Sequence, residues 1–383
     1  MARDFDIIVY GATGFTGRLV AEYLADTGAT RWAMAGRSLA KLDEVRDLIG
    51  APADTPLVVA DADDTASLRR MCERTVVVLT TVGPYQLYGS DLVAACAATG
   101  TGYVDLCGEP AWMRQMIDAH HAEAQRTGAR IVFSCGFDSI PFDLGVLTLQ
   151  DHARARFGRP APRVKGRVRT MKGGFSGGTA ASLKATLAAA ARDPSLVKLL
   201  TSPFALTPGF SGPHQPTGLI PEYDSSIQAW VAPFVMAPIN TKNVHRTNFL
   251  LGSAYGADFV YDEMMVAGLG DIGKAAADAI AKFNPFGGAK GPKPGEGPSK
   301  EDRESGHYDL LFVGLMPGGE RIDTVVTGDR DPGYGSTSKM IAETALCLVE
   351  TESAGGVWTP GALLGTGLRD RLQAKAGLTF TTG

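Results

Sequence analysis

Apolar residues along this chain fall in short runs separated by amphipathic stretches. The first run sets the pattern. Ile7-Ile8-Val9-Tyr10 leads directly into Gly11-Ala12-Thr13-Gly14-Phe15-Thr16-Gly17-Arg18, after which Leu19, Val20, Tyr23 and Leu24 recur at helical spacing. A buried strand, a glycine-rich turn and a helix are predicted. The alternation then repeats. Trp32-Ala33-Met34-Ala35 reads as a second strand, and residues 39–49 form an amphipathic helix with Leu42, Val45, Leu48 and Ile49 on one face. Leu57-Val58-Val59-Ala60, Thr75-Val76-Val77-Val78-Leu79, Tyr103-Val104-Asp105-Leu106 and Ile131-Val132-Phe133-Ser134 continue the strands, with helices over 91–99 and 111–125 between the later ones. Strands this apolar are buried on both faces. Strand alternating with helix at this spacing predicts an α/β fold with a parallel, doubly wound sheet of about six strands.

From about residue 160 the texture changes. Val164, Gly166, Val168 and Thr170 alternate with Lys165, Arg167 and Arg169, as a half-exposed antiparallel strand would. Lys172-Gly173-Gly174-Phe175-Ser176-Gly177-Gly178-Thr179 precedes an alanine-rich helix over 180–191. This is either an anion-binding helix start or a flexible hinge, and it lacks the Gly-Lys-Ser/Thr ending of an ATP-binding loop. Residues 203–240, dense in proline and apolar side chains, are expected to be irregular structure walling a pocket. Their apolar part, 229–239, is interrupted by Pro233 and Pro238 and leaves room for a peripheral membrane or carrier-protein contact. Residues 284–306 read as a surface loop, and 308–316 with 321–327 as a hairpin turning at Pro317-Gly318-Gly319. A helix over 336–350, with Ile341, Ala345 and Leu348 on one face, is expected to return to the first domain. The expected division is 1–150 for the nucleotide-binding sheet, 151–330 for an inserted α+β domain with a mixed or antiparallel sheet, and 331–383 for a C-terminal helical segment returning to the first domain.

A chain of 383 residues suits two domains, and 44% hydrophobic with 20% charged residues is ordinary for a globular enzyme. A formal charge of −4 and the lack of any basic run argue against nucleic-acid binding. Cys72, Cys96, Cys107, Cys135 and Cys347 show no ligand spacing and read as free thiols of a cytoplasmic protein. The histidines form no His-Glu-x-x-His, so no metal is expected. Strand-forming residues so near the start argue against a signal peptide, and no apolar stretch reaches the about 18 residues of a spanning helix.

The chemistry concentrates at strand ends. Gly11 permits the tight turn, Gly14 lets a pyrophosphate approach the backbone, and Gly17 lets helix and strand pack closely. With Thr13, Phe15 and Thr16, they form a helix N-terminus suited to phosphate, against the plainer reading of a tight strand-to-helix turn. An Asp or Glu at the end of the second strand would hold a ribose 2′-hydroxyl. Arg37 stands there instead, beside Ser38, and its guanidinium forks onto a 2′-phosphate, which favours NADP(H). Asp61 and Ala62 end the third strand, where they lie against an adenine or cap the next helix. Val82, Gly83 and Pro84 end the fourth, at the expected nicotinamide half. Tyr85 and Tyr88 face the same region or fill the domain interface. The sixth strand runs into Cys135-Gly136-Phe137-Asp138-Ser139-Ile140-Pro141-Phe142-Asp143.

Together these stretches resemble the saccharopine dehydrogenase-like oxidoreductases, in the branch of bacterial trans-acting enoyl reductases. The resemblance rests on GATGFTGR at 11–18, AGRS at 35–38, TTVGPYQLYG at 80–89, YVDLCGE at 103–109, CGFDSIPFDLG at 135–145, MKGGFSGGTAAS at 171–182 and YGSTSKM at 334–340. It implies a Rossmann domain, an inserted α+β domain and a final helix packed back on the first. Saccharopine reductases carry Cys-Gly-x-Asp-Pro-Gly by the nicotinamide. Here Cys135-Gly136-Phe137-Asp138 continues with Ser139-Ile140, and residues 203–240 offer no arginine cluster for substrate carboxylates. The expected activity is NADPH-dependent reduction of a hydrophobic acyl or enoyl substrate, with Tyr85 or Asp138 as acid and Cys135 lining the site. The alternatives are an amino-acid-linked dehydrogenase using Lys172 to bind carboxylate, and a non-catalytic NADP(H)-binding sensor. A homodimer is compatible with each.

Overall fold

The computed structural model describes residues 3–28, 30–173, 177–283 and 296–383. In chain order its strands are β1 Phe5–Tyr10, β2 Trp32–Gly36, β3 Leu57–Val59, β4 Thr75–Thr80, β5 Gly102–Val104 and β6 Arg130–Val132. There follow β7 Arg163–Lys172, β8 Glu222–Asp224, β9 Ala229–Pro233, β10 Val260–Gly268, β11 His307–Leu315, β12 Arg321–Gly328, β13 Gly356–Trp358 and β14 Leu378–Thr382. They form two seven-stranded sheets, in the orders β13-β6-β5-β4-β1-β2-β3 and β14-β12-β11-β7-β10-β9-β8.

The first sheet is parallel throughout, as its apolar strands require. β1 lies between β2 and β4, with Ile8 opposite both Ala33 and Val78. Its chain order reverses beside β1, so the ends of β1 and β4 open a crevice at the switch point. The seventh strand, β13, was not expected: three residues flanked by glycine carry no periodic signal. It pairs with β6, and the Gly356 N–H donates to the Ala129 carbonyl at 2.8 Å.

In the second sheet β7 is central, antiparallel to β11 and parallel to β10. The alternation at 164–171 therefore needs correcting: Arg167 does not face solvent but is 1% exposed. Its guanidinium donates to Asp224 at 2.7 Å and Asp262 at 2.8 Å, while Lys165 and Arg163 take the other oxygens of the same two acids. Lys165 and Arg167 hold the Asp224 carboxyl well below the usual carboxylate range. The hairpin expected at 308–327 is β11 and β12, paired from Tyr308 opposite Gly328 to Leu315 opposite Arg321.

Residues 203–221 are irregular, but 222–240 are not. β8, β9 and the start of the helix Ala237–Leu250 occupy them. Much of the apolar run at 229–239 is core, with Val231 and Ala232 fully buried between neighbouring strands and Val235 exposed. Of the glycine-rich stretches, 174–176 and 284–295 lie outside the described residues; the rest of the second contains the short helix Lys300–Ser305.

Two helices join the sheets. Ile140–Phe157 packs against β11, β12 and β14, and its Gly145 lies against the Phe312 ring. From Ile140 to Gln150 it is buried all round, so this part has no amphipathic stripe by which to be read from sequence. Thr337–Glu350 packs on the helix Phe15–Thr27 and on β4 and β5. Its buried Glu343 accepts from Tyr23 Oη at 2.5 Å and from Arg371. Among the described residues no helix is long and apolar enough to cross a membrane.

Replacing Arg167 by Ala leaves two buried carboxylates short of a partner. Urea unfolding is expected to show a loss of about 3 kcal/mol or more, and an unchanged midpoint would refute this role.

Candidate active site

The glycine turn is built by backbone contact. The Gly11 and Ala12 N–H groups donate to the Ala35 carbonyl at 3.0 and 3.2 Å, and Gly14 N–H to Gly11 O at 2.9 Å. Gly11 has φ +91°, in the left-handed region that favours glycine, and a Cβ there would stand 2.8 Å from Val82 Cγ2. A Cβ on Gly17 would collide with the Gly11 carbonyl. The helix Phe15–Thr27 then begins at Gly14 with no side-chain cap. The first intrahelical bond comes from Arg18 N–H, leaving the amides of Phe15, Thr16 and Gly17 to face an anion, with Thr13 beside them.

At the end of β2, Arg37 is exposed and Ser38 caps the helix Leu39–Leu48, accepting from Lys41 N–H at 3.4 Å. Asp61 and Ala62 are half-buried after β3. Asp61 accepts from Asp63 N–H at 3.2 Å, whereas it is Asp64 that caps the helix Thr65–Glu73. At the end of β4, Thr81 N–H donates to Tyr10 O at 3.0 Å, which seats Val82 against the glycine turn, with Gly83 and Pro84 following.

Tyr85 is buried, and its hydroxyl is held by backbone: it accepts from Leu106 N–H at 3.1 Å and donates weakly to Thr80 O at 3.4 Å. Tyr88 is exposed. Glu109, given no role from sequence, is buried and accepts from the N–H groups of Tyr85 at 2.9 Å and Gln86 at 2.8 Å. It also accepts from Ser182 Oγ at 2.8 Å, and Gln86 Nε2 donates to Thr186 at 3.2 Å. The helix Gly177–Arg192 is thereby docked on the turn at the end of β4.

After β6, Cys135 lies in the core with its thiol toward the Val132 carbonyl, and burial pushes that thiol up. Asp138, three residues on, has a different setting. Its Oδ1 has no hydrogen-bond partner among the described residues, and burial pushes its carboxyl up to about 7. Next to it, Ser139 Oγ accepts from Asn243 Nδ2 at 2.8 Å. Asn240, one turn earlier on the same helix, donates to Glu263 Oε2 at 2.9 Å, and Tyr261 Oη donates to Oε1 at 2.9 Å. Glu263 feels the Asp138 charge, and burial pushes it well above the usual range against its two donors. Asp138, Ser139, Asn240, Asn243 and Glu263 thus form one polar cluster between the sheets, with the Oδ1 atoms of both asparagines also unpartnered. Only an asparagine spacing of three residues hints at this in the sequence. Lys172 lies elsewhere, donating to Ser305 Oγ at 3.0 Å on the surface.

Tyr334 completes the crevice. It sits in the π-helical turn Pro332–Ser336, which Asp331 caps by accepting from Tyr334 and Gly335 N–H at 3.1 and 2.6 Å. Thr337 Oγ1 donates to Pro332 O at 2.7 Å and accepts from Phe137 N–H at 3.0 Å, tying this turn to the end of β6.

Residues 7–132 match the saccharopine dehydrogenase NADP-binding domain. Over 99% of its length the chain is 42% identical to a putative trans-acting enoyl reductase of Mycobacterium tuberculosis, covering 98% of that protein. The chain belongs to this family. It is also 38% identical to a trans-acting enoyl reductase of Mycobacterium bovis, again over 99% of this chain and 98% of that one. In fold it resembles apo saccharopine dehydrogenase (L-Glu forming) of Saccharomyces cerevisiae, with a TM-score of 0.58 and 10% identity over 99% of both chains.

As a member of the trans-acting enoyl reductase family with this nucleotide domain, the protein is an NADP(H)-dependent oxidoreductase. The glycine cradle fits the cofactor: a Cβ would fill it, and its amides are free for phosphate. Gly17→Ala is expected to abolish NADPH binding in a fluorescence titration. Arg37→Ala is expected to weaken NADPH by about tenfold or more while leaving NADH unchanged; equal loss for both would refute the 2′-phosphate assignment.

Proposed function

We propose that this protein reduces the carbon–carbon double bond of a hydrophobic enoyl substrate, with Asp138 as the proton donor. Full-length similarity to proteins named enoyl reductases supports the reaction class. The observation that carries the substrate choice is the charge of the groups in the crevice. Asp138, Glu263, Asn240 and Asn243 contribute amides and carboxyls that burial pushes up, and no cation among the described residues pairs with them. Arg163, Lys165 and Arg167 are spent on Asp224 and Asp262, and Lys172 is turned to the surface. A substrate with several carboxylates would meet no cation of the described residues at this cluster, which sets the amino-acid-linked reading behind.

In this reading Gly11, Thr13, Gly14, Phe15, Thr16 and Gly17 hold the dinucleotide phosphates, and Arg37 with Ser38 the 2′-phosphate. Asp61 and Ala62 flank the adenine, and Val82, Gly83 and Pro84 shape the nicotinamide end. NADPH supplies a hydride when bound. Asp138 holds a proton at its carboxyl because burial opposes its ionisation, and it delivers that proton to the substrate carbon next to the carbonyl. Ser139, fixed by Asn243, sets the orientation of the Asp138 backbone. Phe137, Phe142 and Phe234, ring against ring at 5.5 and 5.6 Å, keep water from that side. Tyr85 and Cys135 shape the strand ends rather than transfer protons.

Asp138→Asn is expected to lower the single-turnover rate with a long-chain enoyl thioester about 100-fold while NADPH still binds. The protonated carboxyl is the active form. The wild-type rate should therefore hold below pH about 7 and fall as pH rises through it. A full rate in Asp138→Asn, or a rate that climbs through pH 7, would remove Asp138 from the role.

A further inference from the structure

The first turn of the nucleotide-binding helix is not open to solvent on all sides. Phe15, its first residue, is enclosed by groups from distant parts of the chain. The Tyr334 ring meets it edge-on with centroids 4.9 Å apart, and the Arg303 guanidinium lies 5.6 Å from the ring centre. Arg18, one turn along, lies over the same ring at 5.8 Å, and Gly297 packs so closely that a Cβ there would collide with Phe15. Arg303 belongs to the helix just before β11, and Tyr334 follows β12. The second sheet's connections thus reach back over the glycine turn.

Tyr334 is 3% exposed, yet its hydroxyl has no hydrogen-bond partner among the described residues. A buried hydroxyl without a partner costs stability, and the turn that carries it is heavily fixed, by the Asp331 cap and the Thr337 bonds. Burial and the nearby Asp331 push its ionisation well above the ordinary tyrosine range, so it keeps its proton and remains a donor. Arg303 uses one nitrogen on the Pro298 carbonyl at 2.7 Å. A proton-bearing hydroxyl, two guanidinium groups and an uncapped helix N-terminus around one aromatic ring are the chemistry of an anion site.

We infer that the Tyr334 hydroxyl, with the Arg303 guanidinium beside it, completes the dinucleotide's pyrophosphate site from the side of the second sheet. This rests on the cofactor assignment and adds to it a contact that couples the two sheets. The cofactor is then held by backbone amides from β1's turn and by side chains from the connections after 296. Tyr334 is a binding residue in this account, distinct from the Asp138 proton donor.

The test is equilibrium titration of purified wild-type protein, Tyr334→Phe and Arg303→Met with two ligands. One is NADPH, and the other is 2′-phospho-ADP-ribose, which keeps the pyrophosphate and lacks nicotinamide. Both variants should bind both ligands about tenfold or more weakly, by the same factor for each ligand. Without ligand, Tyr334→Phe should melt no lower than wild type, because it removes an unpartnered hydroxyl. Unchanged affinity for both ligands in Tyr334→Phe would overturn the inference. Weakening confined to NADPH would also overturn it, by moving the hydroxyl to the nicotinamide end. Failure of the wild type to bind either ligand would instead overturn the cofactor assignment itself.

Discussion

Everything at this site depends on how closely two backbones approach. The helix Phe15–Thr27 can seat on β1 because only hydrogen stands between Gly17 and the Gly11 carbonyl. That approach aims the uncapped helix N-terminus across the switch point, where β1 and β4 end side by side. A larger residue at either glycine would lift the helix, and the free amides would no longer converge. The parallel register on both sides of β1 fixes where the turn emerges. The later strands only have to deliver their ends to the same edge.

The junction between the sheets is where folding and function compete. Ile140–Phe157 and Ala237–Leu250 bury polar groups that a stable interior would avoid: Asn240, Asn243, Asp143, His245 and Arg246 each keep an unpartnered atom. Some of this is structural. Arg246 ties Leu206 and Val357 together through their carbonyls, and Asp143 accepts from Gly361 N–H at 2.7 Å. Asp138 is half-buried with its Oδ1 shielded, and this burial has a chemical consequence, because it pushes the carboxyl up to about 7. The second sheet balances its own buried charge differently, by pairing Arg167 with two acids.

The first sheet could be read almost strand by strand, because apolar runs such as Val76-Val77-Val78 and the turn at 11–17 carry their physics locally. The hairpin of β11 and β12 was legible for the same reason. What could not be read depends on distant partners. Arg167 looks solvent-facing until Asp224 and Asp262 are brought to it from 57 and 95 residues away. β13 is too short to announce itself, and the helix at 140–157 hides its period because every residue from Ile140 to Gln150 is buried. The site divides similarly. The glycines and Arg37 stood out in the sequence, whereas Glu263 and Tyr334 matter only through contacts that no spacing encodes, and Asn240 is hinted at only by its distance of three residues from Asn243. Tyr85 shows the converse, a residue conspicuous in sequence whose hydroxyl is held by backbone.

The central claim is that this crevice directs hydride to an enoyl carbon and a proton to its neighbour. The most direct measurement is a single turnover of a long-chain 2-enoyl thioester with NADPH deuterated at the transferable position of the nicotinamide, in ordinary water, with the product examined by NMR. The account predicts one deuterium at the carbon β to the carbonyl and protium at the α carbon. Label retained by the cofactor with the enoyl thioester, but passed to an imine of an amino acid, would contradict it.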